Sequence, residues 1–305
     1  MVQETPVIAI FGPTASGKTL AAMELAAKLG GEIVSVDSGQ IYRGMNIGTA
    51  KPTAAERKTV PFHLIDVVDP SEAFSAARFS DLASPVMDEI ASRGRRPILT
   101  VGTGLYFRTL EGGLFEGPKA DPELRARLER RLEEEGIEVL EVELRKIDPE
   151  ASKTVTKNNR QRLIRALEVY HLTGKPISEH WRSHRAKKKG DPLGRLFLKV
   201  GLNPSKEELD RRIEERLEGM IEQGLLAETR ALLERWGPRA PGLQLIGYKE
   251  IVAYLSGKSS LEAAIALVLR NTRQYAKRQR TWFKKDREIQ WFESPDRLTQ
   301  GLTLR

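Results

Sequence analysis

The residues best suited to chemistry form one octapeptide, Gly12-Pro13-Thr14-Ala15-Ser16-Gly17-Lys18-Thr19. It matches the phosphate-binding pattern G-x-x-x-x-G-K-[ST], the P-loop, at each fixed position. The apolar residues 7–11 before it predict a buried strand, and residues 20–29 after it predict a helix. Because backbone N–H groups and a helix N-terminus attract anions, this octapeptide is expected to bind a phosphorylated molecule.

Two side chains of the octapeptide have predicted roles. The Lys18 ammonium is expected to reach the terminal phosphates of the ligand, and the Thr19 hydroxyl is expected to help hold Mg²⁺. The pattern does not identify the ligand, although it is most typical of enzymes that use nucleoside triphosphates.

Polar residues also follow two other predicted strands. Asp37 and Ser38 come directly after residues 33–36, and a carboxylate there could ligate a metal or accept a proton. The alternative is that Asp37 caps the next turn. Gly102-Thr103-Gly104 follows residues 97–101, where glycine permits close approach and the hydroxyl could contact a ligand. A plain turn is the alternative there.

Three arginines, Arg211, Arg212 and Arg216, lie on one predicted helix. A guanidinium close to the octapeptide would neutralise charge on a departing phosphate. The alternative is pairing within the helix, for which the neighbouring carboxylates are Glu208, Glu214 and Glu215.

Strands and helices alternate in the N-terminal third, with a third strand predicted at 63–68 and a helix at 75–93. This order predicts an α/β fold with a doubly wound parallel sheet of the P-loop type, whose ligands bind beyond the strand C-termini. From about residue 121 the chain reads as helical and charged, and residues 196–200 return to a strand pattern. We therefore predict a catalytic core of 1–118 and 195–305, with a helical insertion domain of 119–194.

The chain has a net charge of +8 and no cysteine, which excludes disulfides, thiol catalysis and cysteine-ligated zinc. Residues 270–287 hold eight Lys or Arg, with Tyr275, Trp282 and Phe283 interleaved. Such a stretch suits RNA phosphates and unpaired bases together. A solvated surface is the alternative for this stretch, and it is the preferred interpretation of the second basic cluster, residues 187–189. A cytoplasmic protein without a signal peptide or membrane span is expected.

Eight motifs, in order along nearly the whole chain, resemble those of the tRNA dimethylallyltransferase family. They are GPTASGKT at 12–19, DSGQIYRGMNIGTAKP at 37–52, FHLIDVVDP at 62–70, GTGLY at 102–106, RALEVYHLTGKP at 165–176, GLLAE at 224–228, IGYKE at 246–250 and TRQYAKRQRTWF at 272–283.

The resemblance implies transfer of a dimethylallyl group from dimethylallyl diphosphate to N6 of the adenosine next to a tRNA anticodon, with Mg²⁺ as cofactor. The P-loop would then hold a diphosphate, Asp37 would act as general base, and Thr103 and Arg216 would contact the reacting groups. A cytoplasmic monomer that binds the tRNA anticodon stem-loop is implied. The residues implied to bind tRNA are Asp37, Ser38, Gly39, Gln40, Arg125, Gln161, Arg162, Leu163, Ile164, Arg165, Gln244, Gly247 and Lys249.

Two positions depart from the family pattern. Val101 stands where most members have glycine, which would slightly narrow the approach to Gly102, and Asn159 stands where Asp is usual, which puts a helix cap in doubt.

Three other functions are compatible with parts of the sequence. They are a small-molecule P-loop kinase, an adenylate isopentenyltransferase with a free nucleotide acceptor, and a non-catalytic RNA-binding ATPase. The basic, aromatic stretch argues against the first, and the implied RNA contacts argue against the second.

Overall fold

A computed structural model describes residues 6–113, 117–155, 159–187 and 194–302, apart from the side chains of 184–187. The chain divides into two compact units, one formed by residues 1–111 and 191–305 and the other by residues 112–190. These boundaries lie slightly earlier in the chain than the predicted 118/119 and 194/195. Among the described residues, the helices lack any stretch that is both long and apolar enough to cross a membrane.

The first unit is built on a six-stranded sheet in the order β3-β2-β4-β1-β5-β6, and each strand pairs in parallel with its neighbours. The strands are β1 (Val7–Phe11), β2 (Gly31–Val36), β3 (Phe62–His63), β4 (Arg96–Val101), β5 (Phe197–Leu202) and β6 (Gln290–Phe292). The predicted α/β fold with a doubly wound parallel sheet is confirmed. The C-terminal ends of β2, β4 and β1 lie side by side, so the residues that follow them meet at one edge.

Helices connect the strands and form the second unit. In chain order they are α1 (Lys18–Leu29), α2 (Ala54–Thr59), α3 (Ala76–Ser92), α4 (Gly104–Gly112), α5 (Pro122–Glu134), α6 (Ile137–Ile147), α7 (Pro149–Ser152), α8 (Arg160–Thr173), α9 (Ile177–Lys187), α10 (Lys206–Glu222), α11 (Leu225–Trp236), α12 (Tyr248–Leu255), α13 (Leu261–Phe283) and α14 (Pro295–Gly301). A 3₁₀ turn covers Pro241–Gln244.

Strand β1 contributes to two cores because alternate side chains point to opposite faces of a sheet. Ile8 and Ile10 pack with α1, whereas Val7, Ala9 and Phe11 pack with α3 and the end of α13. All five side chains are buried, as expected for a central strand of a parallel sheet covered on both faces.

The predicted third strand at 63–68 is wrong beyond its first residue, because β3 ends at His63. Leu64 and Asp66 have φ angles of 59° and 56°, a left-handed conformation that cannot continue a strand. The Asp66 carboxylate instead binds Lys51 at 2.6 Å and Arg57 at 2.9 Å. Sequence periodicity did not predict β6 at all, because only three residues form it.

Strand β5 carries a buried lysine, Lys199, whose ammonium lies among three carboxylates. It binds Asp286 at 2.9 Å and Glu288 at 2.6 Å, and it also pairs with Glu111. Burial opposes the charged form, but these hydrogen bonds outweigh it and raise the pKa of Lys199. These three carboxylates could otherwise have suggested a metal site, but the lysine ammonium already binds all of them.

The second unit consists of helices α5 to α9 in its described part. Leucines four residues apart on α5, at 124, 128 and 132, pack against Leu163 and Leu167 of α8 in a common core. The buried Glu168 accepts hydrogen bonds from Arg125, Arg165 and the backbone of Asp121. Burial alone would raise the pKa of Glu168, but its arginine partners keep it below the usual value. Asn159 begins α8 without a side-chain capping bond, as its departure from the family pattern suggested.

Candidate active site

The P-loop joins β1 to α1, and its conformation depends on residues that adopt positive φ. Gly17 and Ala15 have φ angles of 93° and 63°. A Cβ atom added to Gly12 would lie 2.6 Å from Ser16 Oγ and 2.9 Å from the Leu202 carbonyl oxygen, so the close packing here requires glycine. The Ser16 hydroxyl is buried and has no hydrogen-bond partner in the described part of the chain. An anion held by the loop would supply that partner.

Lys18 lies across the loop, where its Nζ donates to the carbonyl oxygens of Gly12 and Pro13, both at 2.8 Å. Burial lowers the pKa of Lys18 to about 8, and the positive charge of Arg216 acts in the same direction. The negative charge of Asp37 partly opposes these effects. An ammonium with so little solvation is well suited to bind a phosphate.

Asp37 follows β2 and uses its two carboxylate oxygens differently. Oδ1 accepts hydrogen bonds from the backbone N–H groups of Gly39 at 2.8 Å and Gln40 at 3.3 Å. Oδ2 faces Gly102, where an added Cβ atom would lie only 2.7 Å away. The turn-capping and proton-accepting interpretations of Asp37 are therefore compatible, since one oxygen caps the turn and the other borders the cavity described below.

Thr103 connects the end of β4 to the segment that contains Asp37. Its Oγ1 accepts from the Ser38 N–H at 3.0 Å and donates to Ser38 Oγ at 3.2 Å. Nearby, burial raises the pKa of Tyr275 to about 12. Gly102-Thr103-Gly104 is therefore a structural link between two strand ends and more than a plain turn.

The three arginines of α10 differ in their partners. Arg211 pairs with Glu208 at 2.8 Å and Glu215 at 2.5 Å, which agrees with the intrahelical alternative. Arg212 divides its guanidinium between Glu208 at 2.6 Å and the Ser16 carbonyl oxygen at 3.4 Å.

Arg216 alone reaches the side chain of a P-loop residue, with Nη1 3.2 Å from Thr14 Oγ1. It forms no ion pair with a carboxylate among the residues that the structure describes. Desolvation lowers the pKa of its guanidinium and the charge of Asp37 partly offsets this effect, although the residue as a whole is exposed. Of the two interpretations of this helix, the phosphate-facing one therefore fits Arg216.

Two adjoining cavities meet at these residues. The phosphate cavity, of about 140 Å³, is lined by Thr14–Thr19, Gly102 and Gln279. The apolar cavity, of about 220 Å³, is lined mainly by aliphatic side chains of α10, α13 and the segment before α12. The residues common to both are Thr14, Asp37, Thr49, Arg216 and Tyr275. The arrangement can hold a phosphorylated apolar molecule, with a carboxylate and a guanidinium at the junction.

Comparison with known proteins identifies the family. An IPP transferase model matches residues 40–286, and an isopentenyl transferase model matches residues 5–70. The chain belongs to the IPP transferase family.

Similar family members cover almost the same length. A tRNA dimethylallyltransferase 1 from Pelobacter propionicus is 49% identical over 96% of this chain and 94% of its own. The full-length tRNA isopentenylpyrophosphate transferase from Bacillus halodurans is 43% identical, with a TM-score of 0.69 over 94% of this chain and 89% of that one. A eukaryotic dimethylallyltransferase captured acting on tRNA is 32% identical, with a TM-score of 0.76 over 91% of this chain and 69% of that one. The family resemblance found in the sequence is thereby confirmed.

In the second unit of this IPP transferase, the predicted tRNA contacts of α8 divide by exposure. Gln161 and Arg162 are exposed, whereas Leu163 and Ile164 are buried in the leucine-rich core. A buried side chain cannot contact RNA, so Leu163 and Ile164 orient the exposed face of the helix instead. The guanidinium of Arg165, like that of Arg125 on α5, binds Glu168 and is partly exposed.

The residues of the first unit that are predicted to contact tRNA also differ in whether their side chains are exposed or hydrogen-bonded within the protein. The Gln40 amide is used internally, since its Nε2 donates to the Ala50 carbonyl at 3.1 Å and its Oε1 accepts from Ser35 at 2.8 Å. Gln244 is exposed and donates to the Pro238 carbonyl at 2.8 Å. Lys249 is exposed, whereas Gly247 is buried in the wall of the apolar cavity.

The prediction that three aromatic residues of 270–287 stack on RNA is wrong for Phe283. This residue is buried and packs edge-on against Phe11, with ring centroids 5.4 Å apart. Tyr275 lines both cavities, and Trp282 is partly buried beneath Arg108. The exposed basic residues of the stretch are Arg270, Lys277, Arg278, Lys284, Lys285 and Arg287. The cluster at 187–189 lies outside the described residues, except for the backbone of its first member.

Val101 does not narrow the site as its departure from the family pattern suggested. Its side chain is fully buried in the core on the α3 face of the sheet and lines neither cavity.

Two residues of this IPP transferase escaped sequence reasoning although both lie in quoted motifs. Gln279 of α13 is buried between two loops of the site. Glu228 of α11 accepts hydrogen bonds from three successive backbone N–H groups, those of Asn46, Ile47 and Gly48, and from the Tyr248 hydroxyl. The motif GLLAE was the available signal for Glu228. Its carboxylate fixes the segment that supplies Thr49 to both cavities.

Replacing Glu228 with alanine is expected to lower the free energy of unfolding by about 2–3 kcal/mol, because three N–H groups and a buried hydroxyl lose their acceptor. Urea unfolding followed by circular dichroism measures the change. Glu234→Ala, at an exposed position of the same helix, is the matched control and should change stability by less than about 0.5 kcal/mol. Equal effects of the two substitutions would contradict an anchoring role for Glu228.

Proposed function

We propose that the chain transfers a dimethylallyl group from dimethylallyl diphosphate to the exocyclic N6 of the adenosine immediately 3′ of a tRNA anticodon, releasing diphosphate. The family and the names of its members support this reaction. The observation that carries the proposal is the junction of the phosphate cavity with the apolar cavity at Asp37 and Arg216. This junction matches a substrate with a diphosphate at one end and a branched hydrocarbon at the other.

The chemistry at the junction is a substitution at C1 of the allyl group. The adenine N6 lone pair is delocalised into the ring, so the amine is a poor nucleophile unless its proton is removed as the N–C bond forms. Asp37 Oδ2 accepts that proton, while the C1–O bond breaks and its electron pair leaves with the diphosphate. Lys18 and Arg216 stabilise the leaving group, because both of their positive charges line the phosphate cavity.

The residues of the phosphate cavity also fit Mg²⁺, which prefers oxygen ligands and retains water. The Thr19 residue lines this cavity, and the Ser16 hydroxyl of the same loop has no hydrogen-bond partner in the described part of the chain, so both hydroxyls support the proposal. Bound Mg²⁺ would neutralise part of the charge on the departing diphosphate.

The RNA side of the reaction is supported by exposed basic and polar residues. We assign tRNA contact to Gln161 and Arg162 of the helical unit, to Lys249, and to the exposed lysines and arginines of 270–287. The acceptor base must leave the anticodon loop to reach a cavity of this size. A tRNA substrate also favours a cytoplasmic location, and we retain the expectation of a monomer.

One incubation tests the proposal directly. The protein is mixed with dimethylallyl diphosphate, Mg²⁺ and unmodified tRNA, and the digested nucleosides are examined by mass. We expect N6-dimethylallyl adenosine from tRNA and none when AMP replaces the tRNA. Prenylation of AMP would indicate a free-nucleotide enzyme, and phosphoryl transfer from ATP without use of the prenyl donor would indicate a kinase.

Lys18 gives the donor reaction an expected pH dependence. An ammonium is charged only below its pKa, so with a pKa of about 8 Lys18 loses its charge as the pH rises through 8, well before an ordinary lysine would. The value of kcat/KM for dimethylallyl diphosphate, which reports the free enzyme, should therefore fall above pH 8. Lys18→Arg should remove this alkaline limb, and a flat wild-type profile between pH 7 and 10 would contradict the assignment.

A further inference from the structure

Gln279 joins the two halves of the site through its side-chain amide. Its Oε1 accepts from the backbone N–H of Thr14 in the P-loop at 2.8 Å, and its Nε2 donates to the carbonyl oxygen of Gly102 at 2.7 Å. The side chain is buried, with 6% of its surface exposed, although it also lines the phosphate cavity. One side chain thus spans the gap between the loops that follow β1 and β4.

Each loop contacts a residue that the reaction uses. On the P-loop side, Thr14 Oγ1 contacts Arg216 at 3.2 Å. On the other side, Gly102 lies against Asp37 Oδ2, and its neighbour Thr103 binds the backbone of Ser38 at 3.0 Å. The Gln279 amide is therefore the central link between the guanidinium at the leaving group and the carboxylate at the acceptor amine.

The two bonds require an acceptor and a donor on the same short side chain, which glutamine provides. A glutamate could accept from Thr14 but would place a second oxygen against the Gly102 carbonyl. The position of Gln279 is itself fixed, because Ala276 and Phe283 of the same helix are buried on the same face. The helix backbone that carries the Gln279 amide is therefore held in place by core packing.

We propose that Gln279 is a positioning residue that sets the separation between the departing diphosphate and Asp37. This inference rests on the proposed function. Without the link, the donor and the acceptor still bind, but N6 and C1 no longer meet in line. Misplacement of about 1 Å can reduce a rate by about 10²-fold. Water can then attack C1: its oxygen forms the new C–O bond and loses one proton to solvent, while the C1–O bond to diphosphate breaks and its electron pair leaves with the diphosphate, giving dimethylallyl alcohol.

The test compares Gln279→Glu and Gln279→Met with Gln300→Glu, a control at an exposed position of α14 that lines neither cavity and lies outside the basic stretch 270–287. Labelled dimethylallyl diphosphate and tRNA give three readings: kcat, the two KM values, and the ratio of dimethylallyl alcohol to prenylated tRNA. For both Gln279 variants we expect kcat to fall by about 10²-fold, KM to change by less than about threefold, and the alcohol ratio to rise at least about tenfold. The control should match the wild type.

The pH dependence of activity is a further measurement, and a general loss of stability would not produce the result expected from it. Burial and the facing Gly102 carbonyl oxygen raise the pKa of a carboxyl at position 279, the charges of Lys18 and Arg216 in the same cavity lower it, and its protonated form regains the O–H donor for Gly102. The activity of Gln279→Glu relative to wild type should therefore recover as the pH falls from 8 to 6, whereas that of Gln279→Met should stay constant. Circular dichroism establishes that each variant is folded, and the methionine variant carries the test if the glutamate variant is not.

Two outcomes would overturn the proposal. One is a proportional fall in transfer and alcohol formation with an unchanged ratio, and the other is wild-type behaviour of both Gln279 variants. A wild-type protein that does not prenylate tRNA would instead overturn the proposed function, and this inference with it, so the two failures are distinguishable.

Discussion

Replacing Asp37 with asparagine is expected to lower the rate of prenyl transfer from bound substrates by about 10²–10⁴-fold, the range that general base catalysis contributes. The substitution keeps an oxygen at the Oδ1 position, which accepts from the Gly39 N–H at 2.8 Å, so the turn should retain its shape. The amide that replaces Oδ2 cannot take the proton of N6. Single-turnover measurements with saturating tRNA and donor separate this step from binding.

Asp81→Asn provides the matched control for Asp37→Asn, because Asp81 lies exposed on α3 and lines neither cavity. It should leave both the rate and the affinity for tRNA unchanged. An Asp37→Asn enzyme that binds tRNA poorly but transfers at the wild-type rate once loaded would show that Asp37 is a tRNA-binding residue and not the base.

Replacing Arg216 with glutamine is expected to lower kcat by about 10²–10³-fold, the usual cost of removing one group that stabilises developing charge. Arg216 reaches Thr14 of the P-loop and has no carboxylate partner in the described part of the chain, so its charge is available to the leaving group. Because that charge increases as the C1–O bond breaks, the transition state should lose more than the bound donor does. We therefore expect a smaller change in KM for the donor than in kcat.

Arg211→Gln tests whether this effect is specific to position 216. Arg211 lies on the same helix, but its guanidinium is held by Glu208 and Glu215. Such exposed pairs contribute little to stability, so the control should remain nearly as active as the wild type. Equal losses in the two variants would mean that helix α10 needs its positive charge in general and that Arg216 has no particular role at the diphosphate.

The sequence predicts the parts of this fold and site that depend on local pattern. The P-loop, the strands that precede Asp37 and Thr103, and the charged helical insert each follow from residue types within a short window. The strand at 63–68 fails because tertiary ion pairs hold Asp66 in a left-handed conformation. The hydrophobic periodicity of a sequence does not depend on tertiary ion pairs, so it cannot predict them.

The remaining parts of the site depend on contacts between distant segments. The packing of α10 decides which of its three arginines reaches the P-loop side chains. The sequence from 211 to 216 has no feature that identifies Arg216 as that residue. Gln279 contacts Thr14 across 265 positions of sequence. In the basic stretch, composition predicts RNA contact for Phe283, but the face of α13 on which it lies makes it part of the core instead.

Strand β1 has a further consequence for how the site responds to thermal motion. Its five buried residues anchor one end of the P-loop in the cores on both faces of the sheet. The other end of the P-loop continues into α1, which packs on the same strand. Segments with this many buried contacts open only in events that approach global unfolding. We therefore expect slow hydrogen exchange at the strand that carries the phosphate cavity, and brief local openings elsewhere in the chain should leave the shape of the cavity intact.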